Sequence, residues 1–193
     1  MSSTAAVNPA DIAAIDREIP ELQLIRDSKL RDATAQIWAE TLKESEWEAL
    51  ADAPKNPETL PLSRRLLEHT RSVALQALAV AQVVEKIHGI GFDQDELVAA
   101  ALLHDVSKLL EYGPTSDGAG KTRTGKRIQH GILGAVKAME HGLSEDLVHN
   151  IIVHTHNSRY LPQTWEAILV HYVDYLDSDA LLFAEGRPLL LKK

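Results

Sequence analysis

The chain has 193 residues, 45% apolar and 25% charged, which fits one globular domain with room for an extension. Its formal charge of −8 argues against a generic binder of nucleic acid or anionic membrane, because both partners select an excess of Lys and Arg. Cysteine is absent, so disulfides, thiolate catalysis and cysteine-ligated zinc are excluded and any metal must be held by nitrogen and oxygen.

Residues 1–10 read as disordered. They have neither the basic start nor the apolar run of a secretory signal, and no stretch reaches the roughly 18 apolar residues of a membrane span, so a cytoplasmic location is expected. An amphipathic section follows to about residue 52, with Ile37, Trp38, Leu42, Trp47 and Leu50 at helical spacings, and packing on the rest of the chain is its expected role. Ala53-Pro54-Lys55-Asn56-Pro57 breaks it, since two prolines cannot sit in a helix interior. The pattern divides the chain into a partly helical extension over 1–60, a helical domain over 61–185 and a tail over 186–193.

The first helix of that domain is expected over 62–88, ending at Gly89, with His69, Val73, Val80 and Val84 on one stripe that turns His69 to the core. A second starts after Asp93, a suitable N-cap, and runs to about Tyr112. Residues 113–127, with four glycines and one proline, read as a loop. Further helices are expected over 128–141, 144–155 and 163–181. Alternating strand patterns of any length are missing, so the fold class is all-α, a helical bundle.

Polar groups inside the apolar runs carry the chemistry. His104 and Asp105 end the run Ala99-Ala100-Ala101-Leu102-Leu103, and burying an unpaired carboxylate costs several kcal/mol, roughly. A divalent cation is the simplest compensation. Asp174 sits in Ile168-Leu169-Val170-His171-Tyr172-Val173-Asp174-Tyr175-Leu176 with no Lys or Arg nearby in its helix. His154 ends the apolar run 148–153, and His130 opens a helix after the glycine-rich loop. A lone histidine is usually a satisfied core or surface group, and His88, His141 and His149 read that way. His69, His104, His130 and His154 differ because they come as a set with two buried acids.

Lys121, Arg123, Lys126 and Arg127 crowd seven positions beside His130, where they would steer an anionic substrate; a mobile solvated loop is the plainer alternative. His156, Asn157 and Arg159 follow His154 and are candidates for substrate contact, with His156 competing with His154 as a ligand. Lys108, three beyond Asp105, would clamp a phosphate or stabilise a leaving group; a solvated helix lysine is the alternative. Gly118-Ala119-Gly120-Lys121-Thr122 is not a P-loop, because Thr115 stands where that motif needs glycine and the element expected before it is a helix where the motif needs a strand.

The order His69, His104-Asp105, Asp174 resembles the signature of the HD-domain superfamily of metal-dependent phosphohydrolases, over about residues 62–182. His130 and His154 fall where two-metal members carry two extra histidines, and Ser107 stands where many members have glycine. His130-Gly131 and the stretch Ile151 to His156 look like their counterparts in the diadenosine-tetraphosphate hydrolase branch. Glu166 to Asp177 is similar to the last helix of bacterial HD-domain exoribonucleases. The resemblance implies one metal on His69, His104, Asp105 and Asp174, and a second on His130 and His154 with Asp105 bridging. An imidazole-rich shell suits Fe, Mn, Ni, Co or Zn better than Mg or Ca.

The implied reaction is hydrolysis of a nucleotide or related phosphoester by metal-activated water or hydroxide. Asp105 and Lys108 would be the catalytic residues. Lys108, Lys121, Arg123, Lys126, Arg127, His156, Asn157 and Arg159 would face the substrate, with His171 and Ser178 supporting the ligands from behind. The partner is then a small anionic molecule rather than a membrane, and a homo-oligomer is compatible with this reading. The same ligands serve an HD-type mixed-valent di-iron oxygenase that cleaves a C–C or C–P bond, or another metal-assisted hydrolase or lyase, and these stand as alternatives.

Overall fold

The structure, a computed structural model, describes residues 6–155 and 157–191. His156, a candidate for substrate contact, lies outside the described residues, as do residues 1–5 of the stretch expected to be disordered. The rest of that stretch is ordered by its own side chains. Asn8 accepts hydrogen bonds from the backbone of Ala10 and Asp11, Asp11 reciprocates at the Asn8 N–H, and α1 (Pro9–Glu18) starts from this capping box.

After a 3₁₀ turn over Pro20–Leu24, α2 (Ser28–Glu44) starts from the Asp27 cap. Ile15, Ile19, Leu22, Ile25, Ile37 and Trp38 of this section are fully buried and share one core with the bundle that follows. Two indoles lock it in place: Trp38 Nε1 donates to the Leu102 carbonyl at 3.0 Å and Trp47 Nε1 to the Tyr112 carbonyl at 2.9 Å.

The bundle begins with α3 (Leu66–His88), which ends at Gly89 in the left-handed conformation. Its buried stripe runs through His69, Val73, Ala77 and Ala81, joined by Thr70 and Ala74. Val80, expected on that stripe, is exposed, and Val84 is half-buried. The close approach of the next helix, α4 (Gln94–Leu103), selects alanine over the larger side chain. Leu97 to Leu103 of α4 are all fully buried, so this helix is apolar on every side and forms the centre of the molecule.

The single helix expected from Asp93 to Tyr112 is broken. Backbone bonds from Val106 to Leu103 and from Lys108 to Asp105 are of the tighter i→i+3 kind, and helix resumes only as the single turn α5 (Lys108–Glu111). The tightening falls where two consecutive side chains, which an α-helix would splay by about 100°, address a common point. The expected loop that follows is also corrected. It contains a hairpin of β1 (Tyr112–Thr115) and β2 (Gly118–Lys121), with Tyr112 opposite Lys121 and Thr115 opposite Gly118. Strands this short, built mostly of Gly, Pro, Thr and Ala, carry no alternating apolar pattern to read.

Three helices complete the bundle: α6 (His130–Glu140), α7 (Glu145–Val153) and α8 (Trp165–Ala184). Past α8 the tail folds back, its Leu190 N–H donating to Asp179 Oδ1 at 2.6 Å. The all-α reading holds apart from the hairpin.

Candidate metal centre

Five helices each bring a polar group to one end of the central helix. α3 supplies His69, the α4–α5 junction His104 and Asp105, the start of α6 His130, the end of α7 His154, and α8 Asp174. They form two groups that share Asp105. His69, His104, Asp105 and Asp174 make one, and Asp105, His130 and His154 the other, with the donor atoms of each lying within 4.8 Å of one another. His69, His104, Asp105 and His154 are each no more than 2% exposed.

The Asp105 carboxylate is divided between the groups. Its Oδ2 lies 3.4 Å from His69 Nε2 and 3.4 Å from His104 Nε2. Its Oδ1 lies 3.3 Å from His130 Nε2 and 3.4 Å from His154 Nε2. Asp174 Oδ1 closes the first group, 3.1 Å from His69 Nε2 and 3.9 Å from His104 Nε2.

All four imidazoles are oriented by their far nitrogen. His69 Nδ1 donates to Asp177 Oδ2 at 2.6 Å, and His130 Nδ1 to Glu111 Oε2 at 2.7 Å. His104 and His154 donate to the carbonyls of Ala101 and Ile151, each at 2.6 Å. These partners only accept, so each Nδ1 carries a proton and each Nε2 is turned inward as the nitrogen left for a metal or a second proton. His69 and His104 bring their Nε2 atoms to 3.3 Å, as do His130 and His154, and Asp105 Oδ1 is buried without a hydrogen-bond donor. Lone pairs and carboxylates gathered this way repel unless a cation lies among them. Donors about 2.0–2.2 Å from a transition metal sit about 3.0–3.5 Å from each other, so the spacing suits such an ion in each group.

The charges reinforce one another. Burial would raise the Asp105 carboxyl, but Lys108 and His104 hold it well below its usual range. Burial works the same way on Asp174 and is again overcome, by the His69 hydrogen bond and the charges of His104 and His69. Burial and Lys55 push His69 down, yet Asp105, Asp174 and Asp177 lift it to about 9. A proton and a metal ion therefore compete for His69 Nε2.

Above the two groups opens a cavity of about 580 Å³ lined by Asp105, His130, His154 and Asp174 and by Lys55, Lys108 and Lys121. Lys108 Nζ lies 2.6 Å from Asp105 Oδ2, and Lys121 Nζ 3.1 Å from Glu58. Asn157 also lines the cavity, whereas Arg123, Lys126, Arg127 and Arg159 are exposed and stand outside its lining. His171 Nδ1 donates to the Val153 carbonyl at 3.1 Å, fixing the backbone next to His154, and Ser178 donates to Asp174 Oδ1 at 3.3 Å. Ser107 donates to the His130 carbonyl at 2.5 Å. His141 is bound to Glu40 and His149 accepts from the Gln163 N–H, both as ordinary structural groups.

Sequence reasoning missed Glu111, Asp177 and Lys55. The two acids leave a trace, since each sits among apolar residues within a turn of a candidate site residue: Glu111 three beyond Lys108, Asp177 three beyond Asp174. Lys55 leaves none. It is 3% exposed, bonds through its ammonium to Ser178 Oγ, and is brought down to about 8 by burial and by Lys108 against the nearby aspartates.

The HD domain profile matches residues 66–179. Over 114 residues the chain is 32% identical to dihydroneopterin 2′,3′-cyclic phosphate phosphodiesterase of Methanocaldococcus jannaschii, an alignment covering 58% of this chain and 46% of that one. The chain thus spans about half the length of this curated relative. No solved structure matches it significantly. No described helix is long and apolar enough to cross a membrane.

Proposed function

Because the chain belongs to the HD-domain family, we propose that it is a metal-dependent hydrolase of a phosphoester, with a nucleotide or related cyclic phosphodiester as its substrate. The observation that carries this reading is the division of Asp105, one oxygen facing each pair of inward imidazole nitrogens. The phosphodiesterase activity named for the archaeal relative points to the same chemistry. Two divalent transition ions, from among Fe, Mn, Ni, Co and Zn, are assigned to the two groups. When bound, such ions supply the Lewis acidity that makes water a usable nucleophile near neutral pH and offsets charge on a phosphoryl group.

The chain's own residues supply position and charge. Asp177, Glu111 and two helix-end carbonyls hold the four rings with their Nε2 atoms inward, so no ring has to reorient on binding. Asp105 joins the two groups at the floor of the cavity. Lys108, at 2.6 Å from Asp105, brings a positive charge to where a leaving oxygen would carry its negative one. Lys121 and Asn157 contact the substrate from the wall. Arg123, Lys126, Arg127 and Arg159 act at longer range, drawing an anion toward an otherwise acidic protein.

The six-donor arrangement with a shared carboxylate also favours a second reading, the mixed-valent di-iron oxygenase. One set of measurements separates them. Protein purified without added metal is assayed for metal content, for EPR signals after partial oxidation, and for hydrolysis of bis(p-nitrophenyl) phosphate and 2′,3′-cyclic nucleotides. Hydrolysis lost in both His104→Ala and Asp105→Ala supports the phosphohydrolase. A mixed-valent di-iron signal without hydrolysis selects the oxygenase.

A further inference from the structure

Lys55 lies outside the HD match, in the proline-flanked segment that joins the N-terminal section to α3. Its backbone is tied down, with the N–H donating to the Arg64 carbonyl at 2.8 Å and Pro54 bridging to Arg65. Its side chain enters the cavity wall, where the ammonium donates to Ser178 Oγ. Ser178 in turn donates to Asp174 Oδ1, so the hydroxyl spaces Lys55 from the nearest ligand carboxylate.

Among the described residues the Lys55 ammonium has this one hydrogen bond and no ion pair. That is unusual for so buried a cation. Lys137, at 9% exposed, has Glu44 at 2.6 Å, and Lys108 has Asp105 at 2.6 Å. Lys121, the third lysine of the cavity, has Glu58 at 3.1 Å. Among the described residues Lys55 alone of the three has no carboxylate within ion-pair distance, and it keeps two N–H donors uncommitted on the wall of a 580 Å³ cavity whose floor suits cations. The group that satisfies both Lys55 and that floor is an anion with several oxygens.

We propose that Lys55 is a phosphate-binding residue of the site, its ammonium holding a nonbridging oxygen of the substrate's phosphoryl group and of the phosphomonoester product. The proposal rests on the phosphohydrolase reading and adds to it a residue from the N-terminal section, which then belongs to the working enzyme. The plainer alternative is a structural tie between that section and α8, and the two differ in what an isosteric loss of charge does.

The test is isothermal titration of inorganic phosphate into the metal-loaded full chain, for wild type, Lys55→Met and Lys55→Arg, with metal content and melting temperature measured alongside. Loss of a charge-assisted hydrogen bond at a desolvated site lowers phosphate affinity about tenfold or more in Lys55→Met, while Lys55→Arg stays near wild type. Metal content is expected to be unchanged in both. If Lys55→Met does not fold, Lys55→Gln makes the same comparison. A neutral variant that binds phosphate as tightly as wild type overturns the role of Lys55. A wild-type protein that neither binds phosphate nor cleaves any phosphodiester overturns the phosphohydrolase reading, and this proposal with it.

Discussion

Asp177 and Glu111 each stand behind one histidine of a different donor group, so neutralising them one at a time is expected to weaken one metal position and spare the other. Asp177 is 8% exposed and accepts from His69 Nδ1 at 2.6 Å, Ser72 Oγ at 2.5 Å and Gln76 Nε2 at 2.8 Å. In Asp177→Asn one end of the side chain becomes a donor, so at least one of these three loses its acceptor, and His69 loses the negative charge behind its ring. Removing such an orienting carboxylate lowers metal affinity about 10- to 100-fold, or about 1.4–2.8 kcal/mol. Glu111→Gln acts on His130, which is more exposed than His69, and is expected at the lower end of that range. The assay is equilibrium dialysis against a competing chelator with metal counted by mass spectrometry. Equal loss of both positions in each variant would refute the division into two groups around Asp105. Wild-type affinity in Asp177→Asn would refute the account of His69.

Three further outcomes are expected. Metal-free His69 holds a proton up to about pH 9, which a bound ion must displace, so affinity rises as pH climbs toward 9 and levels off above it. Calorimetry at pH 7.5 in buffers of different ionisation enthalpy should detect release of roughly one proton per ion at the first group; no release would contradict the charge assignment. Gly125→Ala drives a methyl into the backbone carbonyl of Glu111, and a cost of roughly 1–3 kcal/mol in thermal or urea unfolding is expected, with weaker metal binding because Glu111 moves. Trp38→Phe leaves the Leu102 carbonyl without its buried donor and should cost about 1–3 kcal/mol, again read by unfolding.

Most of the six candidate ligands were legible because each is a polar group in a place whose pattern demands an apolar one; His130, which opens a helix, stood out through the resemblance. His104-Asp105 closing an Ala/Leu run and Asp174 inside an apolar helix state a conflict that only partners can resolve. The helices were legible for the complementary reason, that period and caps agree over long segments, as at Asp93 and Gly89. What escaped was set by tertiary packing. The break after Leu103 has no proline or glycine to announce it, and Val80 lost its place on the α3 stripe to the closeness of α4. Lys55 stood among prolines, in a segment that reads as a connector, and only the folded chain shows it to be buried.

The donors of the first group span the chain from α3 to α8, so an ion held there fastens the first bundle helix to the last. Such a fastening closes a long loop and adds stability only while the ion is bound, in proportion to the logarithm of its free concentration over its dissociation constant. The folded fraction of this protein, and with it its resistance to proteolysis, would then track the metal supply of the cell. Scarcity would remove the protein itself as well as switch off its chemistry.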